Sequence, residues 1–306
     1  MQISSEHEGY IPFLGYRIWY RVLGDLDHAS EPVPVVLLHG GPGLSHRTLL
    51  PLAELASTGR PVVFYDQLGS GRSDHPDDPS LFDVDLFLDQ LATLRQALDL
   101  EAIHLFGHSW GGQLAMEYAL TRPAGLRSLI LHSSGAVATL AFATRQQALA
   151  ELSPAARDAL VRLEAAGTFT GPEYQAAAQV FHQRFTCRLK PWPAWLAQDS
   201  EEMNVALNIH MYESDLPRTG PLRDWDIRPR LRNIAVPTLI TAGRHDGGAG
   251  GQERLLHAGI SGAELVMFED SAHYAHAEEP ERYLIVINDF LTRVEQRQPG
   301  RPPARG

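Results

Sequence analysis

"LFGHSWGGQLAM", residues 105–116, runs from an apolar stretch through Gly107-His108-Ser109-Trp110-Gly111 into a helix-forming sequence. A serine at a strand-to-helix turn ordinarily caps the helix with its hydroxyl. Flanking glycines point elsewhere. They allow a bend so sharp that a β-carbon on either side would strike the neighbouring strand or helix, which holds the serine hydroxyl above the sheet. The five-residue pattern recurs by chance, but between a strand and a helix it is the turn that presents a nucleophile. Ser109 is therefore the candidate nucleophile. The strain of such a turn is tolerated because the oxygen must be free to react.

Outward from that turn, short apolar runs recur, in "VPVVLLHG" (33–40), "RPVVFYDQ" (60–67), "AIHLFGHS" (102–109) and "LRSLILHSS" (126–134). Strands buried on both faces of a parallel sheet have this composition. Between them, "DVDLFLDQLATLRQALDL" (83–100) spaces Leu86, Leu91, Leu94 and Leu98 for one helical face. Upstream, the aromatic and β-branched residues of 10–23, with a central glycine, predict a hairpin. Strands alternating with helices predict an α/β fold with right-handed crossovers.

The alternation stops near Ser134 and resumes at "VPTLITAGRHD" (236–246). The intervening residues read as helices with proline-marked starts, Ser153-Pro154 and Gly171-Pro172, as an insertion over the sheet's edge would. "AELVMFEDSAHYAH" (263–276) gives the last strand and "EPERYLIVINDFLTRVEQ" (279–296) the closing helix. The expected organisation is a core first part over 1–134, a helical cap over 135–232, a core second part over 233–296, and an unstructured tail over 297–306.

Composition narrows the function. With 37 acidic against 26 basic side chains the formal charge is −11, which repels phosphate backbones and anionic lipid, so neither nucleic acid nor membrane is an expected partner. The single cysteine, Cys187, fits a reducing compartment. The opening residues "MQISSEHEGY" lack a secretory pattern, so a cytoplasmic protein is expected. No Cys/His cluster has metal-ligand spacing, so no metal is expected.

A serine hydroxyl needs a base. Asp246 ends one predicted strand and His273 follows another, giving the chain order Ser109…Asp246…His273 of the α/β-hydrolase triad. All three fall beyond the carboxyl ends of strands, where open parallel sheets gather ligands. His276 is an alternative base, and Asp270 or Asp226 could replace Asp246. His104 and His132 read as packing or surface residues. The glycine-rich "LLHGGPG" (37–43) supplies side-chain-free backbone for an oxyanion hole, with the Gly41 and Trp110 amides as donors. His39 orders that loop.

Taken together, "HGGPGLSH" (39–46), "YDQLGSGRSD" (65–74), "GHSWGGQLAMEYA" (107–119), "RDWDI" (223–227), "VPTLITAGRHD" (236–246) and "SAHYAHAEEPERY" (271–283) make the chain resemble the proline iminopeptidase family of α/β-hydrolases. The resemblance implies a hydrolase core with a helical cap, release of an N-terminal residue from a small-molecule or short-peptide substrate, and no metal or organic cofactor. It further implies acidic side chains that hold the substrate amine. In "ESDLPRTGPLRDWDI" the matching residue is Asp215, with Glu213 as the neighbouring alternative. The second acidic place, directly after Asp246, is Gly247, a departure from the family pattern. That departure keeps two rivals open: an esterase or lactonase with no amine requirement, and a non-catalytic receptor for a small ligand.

Overall fold

Apolar and β-branched segments assemble one eight-stranded sheet in the order β1-β2-β4-β3-β5-β6-β7-β8. The computed structural model describes residues 5–26, 32–168, 171–212, 220–248 and 250–297. The hairpin is β1 (Glu6–Phe13) and β2 (Tyr16–Leu23), four residues longer at its start than the sequence suggests. Leu14 and Gly15 both have positive φ, the geometry of a two-residue turn that matches strand twist. β2 pairs antiparallel with β4 (Val62–Tyr65); from there β3 (Val35–Leu38), β5 (Ile103–His108), β6 (Leu126–His132), β7 (Thr238–Gly243) and β8 (Glu264–Phe268) continue in parallel.

Strand alternation divides the interior into two layers. Val36 and Leu38 face one core with Leu105, Leu129 and Leu131, while Val35 and Leu37 face another with Phe106 and Ile130. The first core is covered by α1 (Val84–Ala97) and α2 (Trp110–Leu120), the second by a 3-10 segment (His46–Thr58) that the sequence pattern did not indicate. Asp83 starts α1 by accepting from the Leu86 amide at 2.7 Å.

Among the described residues five α-helices lie between β6 and β7: α3 (Ala138–Ala150), α4 (Pro154–Ala165), α5 (Pro172–Phe185), α6 (Ala194–Glu201) and α7 (Val205–Tyr212). Ser153 and Gly171 stand at the starts of α4 and α5, each followed by proline, as expected. Leu149, Leu152, Leu160, Phe181 and Phe185 form a core of their own there. A short α8 (Gln252–Gly259), also not anticipated, joins β7 to β8; α9 (Ala275–Glu278) and α10 (Pro280–Gln296) close the described chain. The expected tail lies outside the described residues from 298 onward. Among the described residues no helix is long and apolar enough to cross a membrane.

Candidate active site

Ser109 stands between β5 and α2 with φ 54° and ψ −119°, and its hydroxyl makes no capping bond to the helix. A capping serine would spend its oxygen on α2; this one leaves it unspent. The glycines explain why the turn closes. A β-carbon on Gly107 would lie 2.3 Å from the Gly111 carbonyl oxygen, and one on Gly111 would lie 2.2 Å from that of Leu38. On Gly112 it would meet Ser134 at 2.5 Å. Neither the Gly111 nor the Leu38 backbone could give way, so Gly107 and Gly111 admit no side chain.

The glycine-rich loop after β3 closes on the same point. A β-carbon on Gly40 would sit 3.2 Å from that of Ser109, and Gly41 has φ +108°. Gly41, Ser109, Trp110 and His273 line one cavity of about 290 Å³. Trp110 opens α2, so its N–H has no carbonyl four residues back to bond and is available to a ligand.

Side chains that sequence reasoning did not assign hold this arrangement. The Trp110 indole N–H donates to Gln67 Oε1 at 2.8 Å, and Gln67 Nε2 donates to the His39 carbonyl at 3.0 Å. His39 Nδ1–H donates to the Gly40 carbonyl at 2.9 Å, while its Nε2 accepts from the Gln67 amide at 2.9 Å. Burial keeps the His39 ring below the usual histidine range, so one nitrogen can donate and the other accept. The three motifs are thereby wired to one another, and His39 orders its loop as expected. In the sequence Gln67 ends a buried apolar run and falls within the family segment "YDQLGSGRSD", with no role assigned to its side chain.

His273 follows β8. Its Nδ1 lies 2.9 Å from Asp246 Oδ2, and Asp246 Oδ1 accepts from the Gly248 amide at 2.8 Å. The His273 backbone N–H donates to the Thr186 carbonyl at 2.9 Å, and His108 Nε2–H donates to the His273 carbonyl at 3.1 Å. Burial pulls the His273 ring down, but the charge and hydrogen bond of Asp246, aided by Glu278, lift it above the ordinary histidine value on balance.

The alternatives fall elsewhere. His276 is buried and its Nε2–H donates to the Thr48 carbonyl at 2.7 Å. Asp226 pairs with Arg228 at 2.6 Å, and Asp270 is exposed. His104 and His132 are buried in the sheet, bonded to Ser128 and Thr241. Glu213 and Asp215 lie outside the described residues; Tyr212, which lines the cavity, immediately precedes them.

The inserted helices are anchored to the glycine-rich loop. Asn204 donates its backbone N–H to the Gly43 carbonyl and its side-chain amide to the Gly69 carbonyl, each at 2.9 Å. Asp199 of α6 accepts from the Ser45 amide at 2.9 Å and bonds its hydroxyl.

A largely parallel sheet with a strained serine between strand and helix, and a histidine from beyond β8 that lines the same cavity and is paired with an aspartate from beyond β7, defines the α/β-hydrolase class. In keeping, the sequence profile for the alpha/beta hydrolase fold matches residues 33–280. The chain is 38% identical to a proline iminopeptidase of Heyndrickxia coagulans, over 94% of this chain and 99% of that one. The crystal structure of VinJ superposes with a TM-score of 0.88 at 37% identity, covering 94% of this chain and 99% of that one. Proline iminopeptidase of Mycobacterium smegmatis gives 0.84 at 32% identity, covering 95% and 99%. The chain belongs to the proline iminopeptidase family of α/β-hydrolases.

Proposed function

We propose that this protein is a serine aminopeptidase of the proline iminopeptidase type, or an amino-acid amidase, working through an acyl-enzyme. Ser109 attacks the substrate carbonyl as His273 takes its proton. Asp246 holds the ring's tautomer and stabilises the imidazolium. The Gly41 and Trp110 amides bind the oxyanion, where one such donor is worth about 3–4 kcal/mol. His273 then protonates the departing amine, and water releases the acyl group by the same route in reverse. The observation that carries this reading is the uncapped Ser109 at φ 54° in one cavity with an Asp246-paired His273.

In the same reading residues 135–232 form a cap that excludes water and limits substrate size, and Asp215 or Glu213 receives the substrate ammonium. An unmatched buried charge costs several kcal/mol, so that carboxylate should be indispensable to an aminopeptidase. The setting is cytoplasmic and the substrate a small molecule or short peptide, with no nucleic acid or membrane involved and no cofactor required.

One observation favours a second reading, an esterase or lactonase without amine recognition. The described cavity lining contains no carboxylate, and a β-carbon on Gly247 would point at Phe185 and Ala148. The test is a panel of aminoacyl arylamides, their N-acylated counterparts and simple aryl esters, run on wild type, Ser109→Ala and Asp215→Ala. The aminopeptidase reading expects turnover of free-amine substrates, abolished by Ser109→Ala and selectively damaged by Asp215→Ala. Equal turnover of N-acylated compounds would favour the esterase instead.

A further inference from the structure

The two amides assigned to the oxyanion reach Ser109 from separate loops, so their aim depends on how those loops are held against each other. Gly41 lies in the loop after β3, whose backbone folds back on itself. A β-carbon on Gly41 would stand 2.7 Å from the Gly43 nitrogen and 2.8 Å from that of Leu44. A shift of Gly43 is therefore felt at Gly41. Trp110 is steadied from the other side, by the bond from its indole to Gln67. The Gln67 carbonyl closes a turn by accepting from the Ser70 amide at 2.9 Å, and Gly69 lies within that turn.

Asn204, half-buried at the start of α7, touches both loops. Its backbone N–H bonds the Gly43 carbonyl and its Nδ2 the Gly69 carbonyl, each at 2.9 Å. The seat is tight: Gly43 has φ +100°, and a β-carbon there would stand 2.5 Å from the Asn204 carbonyl oxygen. Asn208, one turn along α7, donates its Nδ2 to the Pro42 carbonyl at 3.3 Å. Among the described residues, the hydrogen bonds to the Pro42 and Gly43 carbonyls come from these two asparagines and none from the sheet. Asn204 also caps α7, its Oδ1 accepting from the Leu207 amide at 3.1 Å. Capping accounts for that oxygen but not for the Nδ2 bond to Gly69, since serine or aspartate would cap equally well.

We propose that Asn204 is a positioning residue for the oxyanion hole. It braces the Gly41 loop against the Gly69 turn, so that the Gly41 and Trp110 amides stay aimed at one point, with Asn208 as a second tie. Asn204 touches no reacting atom. The oxyanion exists in the transition state and not in the bound substrate, so lost aim lowers kcat and leaves KM in place. The proposal rests on Ser109 as nucleophile with those two donors; it does not depend on whether the substrate carries a free amine.

Asn204→Asp and Asn204→Ala together discriminate. Aspartate keeps an oxygen to cap α7 and loses the donor to Gly69; alanine loses both and adds no charge. The probes are p-nitrophenyl acetate and prolyl β-naphthylamide for kcat and KM, and a fluorophosphonate for the rate of Ser109 labelling. In that labelling the phosphoryl oxygen takes the oxyanion's place as fluoride leaves. We expect both variants to lower kcat by about ten-fold or more, with KM within about two-fold of wild type and labelling slowed in step. Outright loss of one donor would cost about a hundred-fold or more. Glu202→Gln, which breaks the partly exposed ion pair with Arg47 just after α6, should change none of these. If the Asn204 variants do not fold, Asn208→Ala is expected to show the same loss confined to kcat. A raised KM with kcat kept, a loss in Asn204→Asp alone, unslowed labelling, or an equal loss in Glu202→Gln would overturn the brace. A wild type that is labelled and cleaves the ester but not the naphthylamide would overturn the aminopeptidase reading, while a kcat loss on the ester in the variants would still uphold the brace. A wild type neither labelled nor active would overturn both.

Discussion

The amide of Gly247 donates to the Phe185 carbonyl at 3.1 Å, and a β-carbon on Gly247 would stand 2.7 Å from that of Phe185. The position after Asp246 is thus closed by the end of α5. Where the family pattern has an acid, this chain has an inter-layer contact. Gly247→Glu should not restore an amine clamp; it should wedge α5 from the core and destabilise the protein by about 1–3 kcal/mol, as overpacking does. Thermal melts and arylamide kinetics check both halves. An undiminished melting temperature with better free-amine turnover would show that the contact yields.

Backbone strain at Ser109 separates catalysis from stability. Ser109→Ala and Ser109→Gly should both abolish turnover, since each removes the nucleophile. Glycine suits φ 54°, ψ −119° without steric conflict whereas alanine does not. The glycine variant should therefore be the more stable of the two by about 1 kcal/mol in urea denaturation. Equal stabilities would mean that the turn is unstrained.

The pH profile follows from His273. A general base works neutral, and its ring is lifted by Asp246 against the pull of burial. The acid limb of kcat/KM should therefore lie above about 6.5, the ordinary histidine value. Asp246→Asn should lower kcat by about four orders of magnitude and move the residual limb downward, because burial is then opposed only by the smaller pull of Glu278. An unmoved limb in the variant would assign the titration to another group. For stability the sign is the opposite of the usual carboxylate: the gain from a lifted histidine is present below about pH 6.5 and fades as pH rises through its folded value.

His276 behaves in the other sense. Burial first, then the charge of neighbouring His273, outweigh its bond to Thr48 and pull its ring down to about 4. The unfolded chain binds that proton first, so stability falls as pH drops from about 6.5 toward 4, by an amount on the order of 3 kcal/mol when complete. His108 and His132, whose ring centroids lie 5.4 and 5.0 Å from that of His276, lie well below the ordinary value too, again chiefly through burial. His276→Gln should be less stable at pH 7.5 yet lose less stability between pH 6.5 and 4.5. Urea melts at those values decide it, and parallel losses would contradict the assignment.

Residue order alone determined the parallel strands, the elbow around Ser109, the proline-started helices and the order Ser109…Asp246…His273, because each is written locally in apolar runs, glycines and caps. Those signals fix what the backbone can do within a few residues. Which acid meets which histidine is not local. Asp246 and His273 lie 27 positions apart, and it is β7 pairing with β8 that brings them to 2.9 Å while leaving Asp270 exposed. The bond of the Gln67 side chain to the Trp110 indole was invisible for the same reason. A buried amide has the same letter as a surface one, and only packing removes its water and gives it, or denies it, a partner.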